Sequence, residues 1–176
     1  MVRTLSSMEL AILESAVSED SCEFYSLLEW MTPCGEDGYV ESFAYHYCQA
    51  YLNERENFDN IKWQNGVRVC LQEKMLSKLK SSPEASCPQI KEWGFGSHLG
   101  CYMHPLPHLP EVKYCRLSGH DLVKIGWVAK GAVFESEVRS QFYKMVTECA
   151  GHYLQDVHED FSNYLKKVMK ELEWLW

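Results

Sequence analysis

The chain has 176 residues, 46% of them hydrophobic, which is enough to bury one sizeable core, so a single domain over residues 1–176 is expected. Its 25 acidic residues outnumber 17 Lys and Arg and leave a net charge of -8, which excludes attraction to a phosphate backbone as a main role; nucleic acid is not an expected partner. No apolar run approaches the roughly 20 residues of a membrane-spanning helix, so no membrane span is expected.

In chain order, Ser6-Ser7-Met8-Glu9 is a capping-box pattern that opens a helix reaching about Val17, with Leu10, Leu13 and Val17 on one face. Asp20-Ser21-Cys22-Glu23 opens a second, in which Phe24, Leu27, Leu28 and Met31 recur at helical spacing until Thr32-Pro33 stops it. A turn at Cys34-Gly35-Glu36-Asp37-Gly38 leads to a third helix from about Tyr39 to Asn53. Phe43, Tyr47 and Tyr51 give that helix an aromatic stripe beside Cys48.

A fourth helix is expected from about Asp59 to Lys80, with Trp63, Val67, Cys70, Leu71, Leu76 and Leu79 at a 3.6-residue period, ended by Ser81-Ser82-Pro83. Ser86-Cys87-Pro88 starts a fifth, running through Ile90, Trp93 and His98 to Cys101, because proline is tolerated in a first turn. Pro105, Pro107 and Pro110 prevent its continuation. Ser118-Gly119-His120-Asp121 caps a short helix that Gly131 is expected to end. From Phe134 a helical pattern reaches Trp176, with Val138, Phe142, Val146 and Cys149 in its first part and a break expected near Gly151. Its second part, Phe161 to Trp176, is amphipathic and is expected to pack on the core or on a second copy, against the alternative of a receptor or membrane-surface patch. No strand alternation competes, so the expected fold is all-α, a disulfide-stapled bundle of six or seven helices.

The eight cysteines, Cys22, Cys34, Cys48, Cys70, Cys87, Cys101, Cys115 and Cys149, are scattered and even in number. Structural zinc needs close pairs so that two ligands from one short loop face a single ion, and a thiol–disulfide catalyst needs Cys-x-x-Cys; neither spacing occurs. The cysteines therefore point to disulfides in an oxidising compartment, and the chain is expected to be secreted and extracellular. Met1-Val2-Arg3-Thr4 opens into an amphipathic segment with no continuous apolar stretch, so the chain reads as a mature or trimmed form. Asn53, Asn57, Asn60, Asn65 and Asn163 lack a hydroxyl residue two positions on, so N-glycosylation is not predicted. Which cysteines pair is left open by their spacing.

Several groups together resemble the stanniocalcin family of secreted glycoprotein hormones. Cys34-Gly-Glu-Asp-Gly-Tyr39 resembles the family's acidic turn, and Tyr47-Cys48-Gln-Ala-Tyr-Leu52 the helix after it. Phe58-Asp59, Trp63 and Val69-Cys70-Leu71 resemble the next helix, the step from Cys87 to Cys101-Tyr102 is similar to the family's, and Cys115 to Cys149 completes the order. The resemblance covers about residues 22–154. It implies pairing of Cys22 with Cys48, Cys34 with Cys87, Cys70 with Cys101 and Cys115 with Cys149. A further N-terminal bridge of the family is missing in both halves, and nothing after Cys149 supplies its interchain cysteine, so a covalent dimer is not expected. A non-covalent homodimer stays open.

Enzymatic patterns are incomplete. His98-Leu99-Gly100-Cys101-Tyr102 resembles the catalytic helix of secreted phospholipases A2, but Leu99 and Gly100 replace the calcium-binding carboxylate and no calcium loop lies upstream. His98 is expected to be a partly buried structural residue. His104 and His108 stand four apart, yet Pro105 and Pro107 forbid the helix that would align them; with His120 they are expected to be solvated loop histidines, with a surface metal site as the alternative. Gly94-Phe95-Gly96-Ser97 lacks the Lys-Ser/Thr of a phosphate cradle and reads as close helix packing. Ser77-Lys78-Leu79-Lys80 places its lysine on a charged helix end, where it would stay protonated. Glu36-Asp37 lacks the alternating oxygens of an EF-hand. No catalytic residue, metal or cofactor is assigned.

The expected function is therefore a secreted, non-enzymatic, stanniocalcin-like hormone or regulatory protein that contacts a receptor or another extracellular protein. Two alternatives are a waterborne chemical cue on the same fold and a carrier of a small apolar ligand lined by Phe43, Tyr47, Tyr51, Trp63 and Trp93.

Overall fold

The computed structural model describes residues 3–153, together with 166 and 170. Among the described residues the protein is all-α. Seven α-helices follow in order: α1 (Ser7–Ala16), α2 (Glu23–Met31), α3 (His46–Asn53), α4 (Ile61–Ser81), α5 (Cys87–Met103), α6 (Gly119–Val128) and α7 (Ser136–Tyr153). A π-helical segment (Val40–Tyr45) and three short 3-10 turns fill the connections.

Local capping explains where most helices begin. At α1, Ser6 Oγ accepts from the Glu9 amide at 3.2 Å and Glu9 Oε2 accepts from the Ser6 amide at 2.8 Å, so two orphan donors are satisfied reciprocally. Ser86 and Gln89 form the same box at α5, with Pro88 in the first turn. Asn60 Oδ1 accepts from the Trp63 amide at 2.9 Å to start α4, and Ser118 Oγ accepts from the Asp121 amide at 3.1 Å to start α6.

Two expectations about helix shape are corrected. The segment predicted as one helix from Tyr39 to Asn53 opens with π turns before α3. Its buried positions Val40, Ala44 and Cys48 step by four, which drifts around a 3.6-residue helix; the wider π turn offsets that drift and keeps them inward. Gly131 is not a helix stop either, because α6 has ended by Ala129 and Gly131 holds ordinary helical angles, φ -72°. It leaves room for a neighbour instead: a Cβ there would lie 2.7 Å from the Tyr47 hydroxyl, which would have to shift. Gly151 itself lies inside α7, whose described residues end at Tyr153, so the break expected near it lies at the edge of the described residues. The amphipathic pattern from Phe161 to Trp176 falls outside the described residues except for Lys166 and Lys170.

The hairpin of α4 and α5 is the spine of the bundle. One core cluster packs α1, α2 and the π segment on the α4–α5 turn end, centred on Leu13, Phe24, Leu28, Val40, Leu79 and Ile90. The other packs α6 and α7 on the opposite end, around Trp63, Met103, Tyr114, Ile125 and Met145. On α7 the inward positions are Val138, Phe142, Met145 and Cys149, a 4-3-4 stripe in which Met145 takes the buried place.

All eight cysteines are bonded: Cys22–Cys48 joins α2 to α3, Cys34–Cys87 joins the acidic turn to α5, Cys70–Cys101 joins α4 to α5, and Cys115–Cys149 joins a 3-10 turn to α7. These are the pairs that the stanniocalcin resemblance implies. Their sequence separations of 26, 53, 31 and 34 residues restrict the unfolded chain, and each bridge contributes about 2–4 kcal/mol. Four disulfides suit an oxidising, extracellular setting. No helix among the described residues is long and apolar enough to cross a membrane.

The α4 helix also carries a buried polar row, Gln64, Arg68 and Gln72, each at most 3% exposed. Spaced by four, these residues share one face. Gln72 accepts from the Ser18 amide at 3.0 Å and donates to the Ser18 carbonyl at 3.1 Å, while Arg68 donates to the Glu19 carbonyl and to Gln64. Gln64 donates to the Tyr51 carbonyl. The row fastens the α1–α2 connection and the end of α3 to the spine, supplying backbone groups with partners that water would otherwise provide.

Candidate functional site

A cavity of about 90 Å³ lies at the seam between the two core clusters. Its walls come from α2 (Tyr25), the π segment (Tyr39 just before it, Phe43 and Ala44), α3 (Tyr47, Cys48, Tyr51) and α4 (Val67, Arg68, Leu71). His98 and Tyr102 from α5, Ile125 and Ala129 around the end of α6, and Val138, Gln141, Phe142 and Met145 from α7 close it. Among the described residues no carboxylate lines it.

Aromatic rings and aliphatic side chains share the wall. Phe43 lies 4.8 Å from Phe95, 4.7 Å from Tyr47 and 5.7 Å from the His98 ring, the last edge-on at 81°. Tyr39 meets Phe95 edge-on with centroids 5.0 Å apart. These offset and edge contacts suit the ring quadrupoles and fix the walls beyond simple burial. Gly94 makes the arrangement possible: a Cβ at that position would stand 2.1 Å from Tyr39 Cζ. The predicted reading of Gly94-Phe95-Gly96 as close packing holds for Gly94, whereas Gly96 faces open space.

Burial sets the protonation of these groups. Desolvation pushes the Tyr25, Tyr39 and Tyr51 hydroxyls well up from their ordinary value, and Tyr102 up to about 12, so all remain protonated donors. Tyr102 donates to the Tyr51 hydroxyl at 3.2 Å. His98 is held neutral: desolvation outweighs the carbonyls of Gly94 and Phe95 and lowers it to about 4. His98 Nδ1 lies 2.8 Å from the Gly94 carbonyl, which can only accept, so Nδ1 carries the proton and Nε2 is the ring's acceptor. Arg68 is lowered to about 10 by burial and stays charged near neutrality. Each of its nitrogens already donates, to Gln64, the Glu19 carbonyl and Asn65.

A neutral, half-buried His98 makes stability depend on pH. Between its ordinary value of 6.5 and about 4 the unfolded chain binds a proton there that the folded chain does not, so stability falls as pH drops through that window and the loss saturates below it. Urea midpoints measured from pH 7 to pH 5 should fall more steeply for the native chain than for His98→Gln. Parallel curves would assign the acid loss to carboxylates instead.

The structure redistributes several predicted residues. Phe43, Tyr47 and Tyr51 line the cavity as expected of a carrier, but Trp63 and Trp93 do not. Trp63 is fully buried in the α6–α7 cluster and its indole Nε1 donates to the Tyr102 carbonyl at 2.9 Å, while Trp93 packs on the other cluster. The missing members include Tyr39, which extends the Phe43, Tyr47 and Tyr51 stripe by one step of four and stacks on Phe43 with centroids 5.6 Å apart, and Tyr25 and Tyr102, which lie on other helices and share no stripe with it. Ser77 and Lys80 are exposed, and Lys80 pairs with Glu14 at 2.7 Å.

His120 meets Asp59 and Asp121, with Nδ1 at 3.4 and 3.9 Å from their carboxylates, and not His104 or His108 in any three-ligand group among the described residues. Both Asp121 oxygens already accept from the Asp59 and Asn60 amides at 2.7 and 2.8 Å, and Ser118 donates to Asp59 at 2.6 Å. The cluster therefore joins the starts of α4 and α6. The molecule is defined at the level of class as a disulfide-stapled helical bundle. No protein-family model, no curated protein and no solved structure matches the chain.

Proposed function

We propose that this chain is a secreted, non-enzymatic regulatory or signalling protein of stanniocalcin-like type that acts by contact with a receptor or another extracellular protein. The observation that carries the reading is the outer face of α6, where Val123 and Trp127, four residues apart, are 39% and 61% exposed. Lys130 Nζ lies 3.9 Å from the centre of the Trp127 ring, and Phe134 in the following turn is 69% exposed. A rigid aromatic held on a capped helix loses little freedom on binding, which is why tryptophan is enriched at the energetic centres of interfaces. The bridged frame and its cysteine order support the extracellular and stanniocalcin-like parts of the reading.

Affinity capture from the extracellular fluid and membranes of the source organism tests this. The native chain should retain a protein partner that Trp127→Ala retains at least about tenfold less, the effect expected of one central anchor. Recovery of only a small molecule, or equal capture by both chains, would sink the protein-contact reading. Self-association lost in Trp127→Ala would instead assign this face to a non-covalent homodimer.

A further inference from the structure

We infer that Asp59, His120 and Asp121 form a binding site for one divalent zinc ion, a function separate from protein contact at the outer face of α6. One ligand atom from each residue lies within 4.8 Å of the other two. His120 Nδ1 stands 3.4 Å from Asp59 Oδ1 and 3.9 Å from Asp121 Oδ1, and it makes a hydrogen bond to neither. Ligands held at about 2.1 Å around one tetrahedral ion stand roughly 3.4 Å apart, so a spacing too long for a good hydrogen bond is close to what a shared ion needs.

The surroundings prepare the two carboxylates for a cation. The Asp59 and Asn60 amides donate to the Asp121 oxygens at 2.7 and 2.8 Å and fix a side chain that is fully buried, yet each of those oxygens keeps a second lone pair. Ser118 Oγ donates to Asp59 Oδ2 at 2.6 Å and leaves Oδ1 as the oxygen nearest His120. Outer donors of this kind orient the ligands of metal sites. Among the described residues the only ion-pair partner of either aspartate is His120, so two negative charges converge on one imidazole with no lysine or arginine between them. A divalent ion supplies the missing positive charge. One nitrogen and two oxygens favour zinc over calcium and magnesium, which prefer larger all-oxygen shells, and no thiol competes because none of the cysteines is free. His120 and Asp59 are exposed, so an ion can enter and water can complete its shell.

Calorimetric titration of the chelator-dialysed native chain with zinc chloride tests the site. One zinc ion should bind per chain, and His120→Ala and Asp59→Ala should each weaken it at least about tenfold. His108→Ala, which removes an exposed histidine outside the cluster, should leave binding unchanged. Calcium and magnesium chloride should bind at least about tenfold more weakly than zinc. Asp59→Ala also removes the Ser118 contact, so the native chain supplies a second readout: zinc must shift the His120 ring resonances and the Asn60 amide. No saturable binding, undiminished binding by either cluster variant, a loss in His108→Ala as large as in His120→Ala, or shifts centred on another histidine would overturn the site. Tighter binding of calcium than of zinc would overturn the assignment of the ion.

Discussion

Replacing Cys70 and Cys101 together by alanine is expected to lower unfolding stability by about 3–5 kcal/mol, one of the two largest effects any local change should have. The bridge spans 31 residues, for which chain entropy alone gives about 3.5 kcal/mol. Cys34–Cys87 spans 53 residues and by that measure would count slightly more, about 4 kcal/mol. Packing reverses the order. Cys101 is fully buried between the paired helices of the spine, so removing its sulfur also leaves a void, whereas Cys34 and Cys87 are both half-buried at the rim. Urea unfolding of the two double-alanine variants should place the Cys70/Cys101 variant lowest. A Cys34/Cys87 variant that is the less stable would show that chain entropy outweighs the void.

How much of this could be read without coordinates depends on whether the cause is local. The starts of α1 and α5 were legible because Ser6 with Glu9 and Ser86 with Gln89 complete each cap within four residues. The π turns were not, since Val40, Ala44 and Cys48 read as one face of an ordinary helix until the packing shows how exactly they must align. The row Gln64, Arg68 and Gln72 looks like a solvated face in sequence; it is buried because the α1–α2 connection lies across it and needs its hydrogen bonds. The cavity was half legible. Phe43, Tyr47 and Tyr51 share one stripe and were candidates, and Tyr39 could have been found as its next member four residues earlier, while Tyr25 and Tyr102 arrive from separate segments that only the tertiary fold brings together.

Trp63→Ala should cost about 3–5 kcal/mol, the range for emptying a large aromatic site in a core. Trp127→Ala should cost well under 1 kcal/mol, because that ring is 61% exposed. The contrast uses one residue type to separate a structural aromatic from a surface one. Trp63 is fully buried and stands edge-on to Tyr102, with centroids 5.5 Å apart at 83°. Its loss also strips the Tyr102 carbonyl of the indole donor. Tyr102 in turn holds the Tyr51 hydroxyl, so the effect should reach the cavity wall. Trp63→Phe tests that chain of contacts: it keeps an aromatic ring and removes the hydrogen bond, and should lose about 1–3 kcal/mol. Urea unfolding ranks the three variants. A Trp63→Ala chain as stable as Trp127→Ala would refute the placement of Trp63 at the centre of the α6–α7 cluster, and with it the wall that Tyr102 gives the cavity.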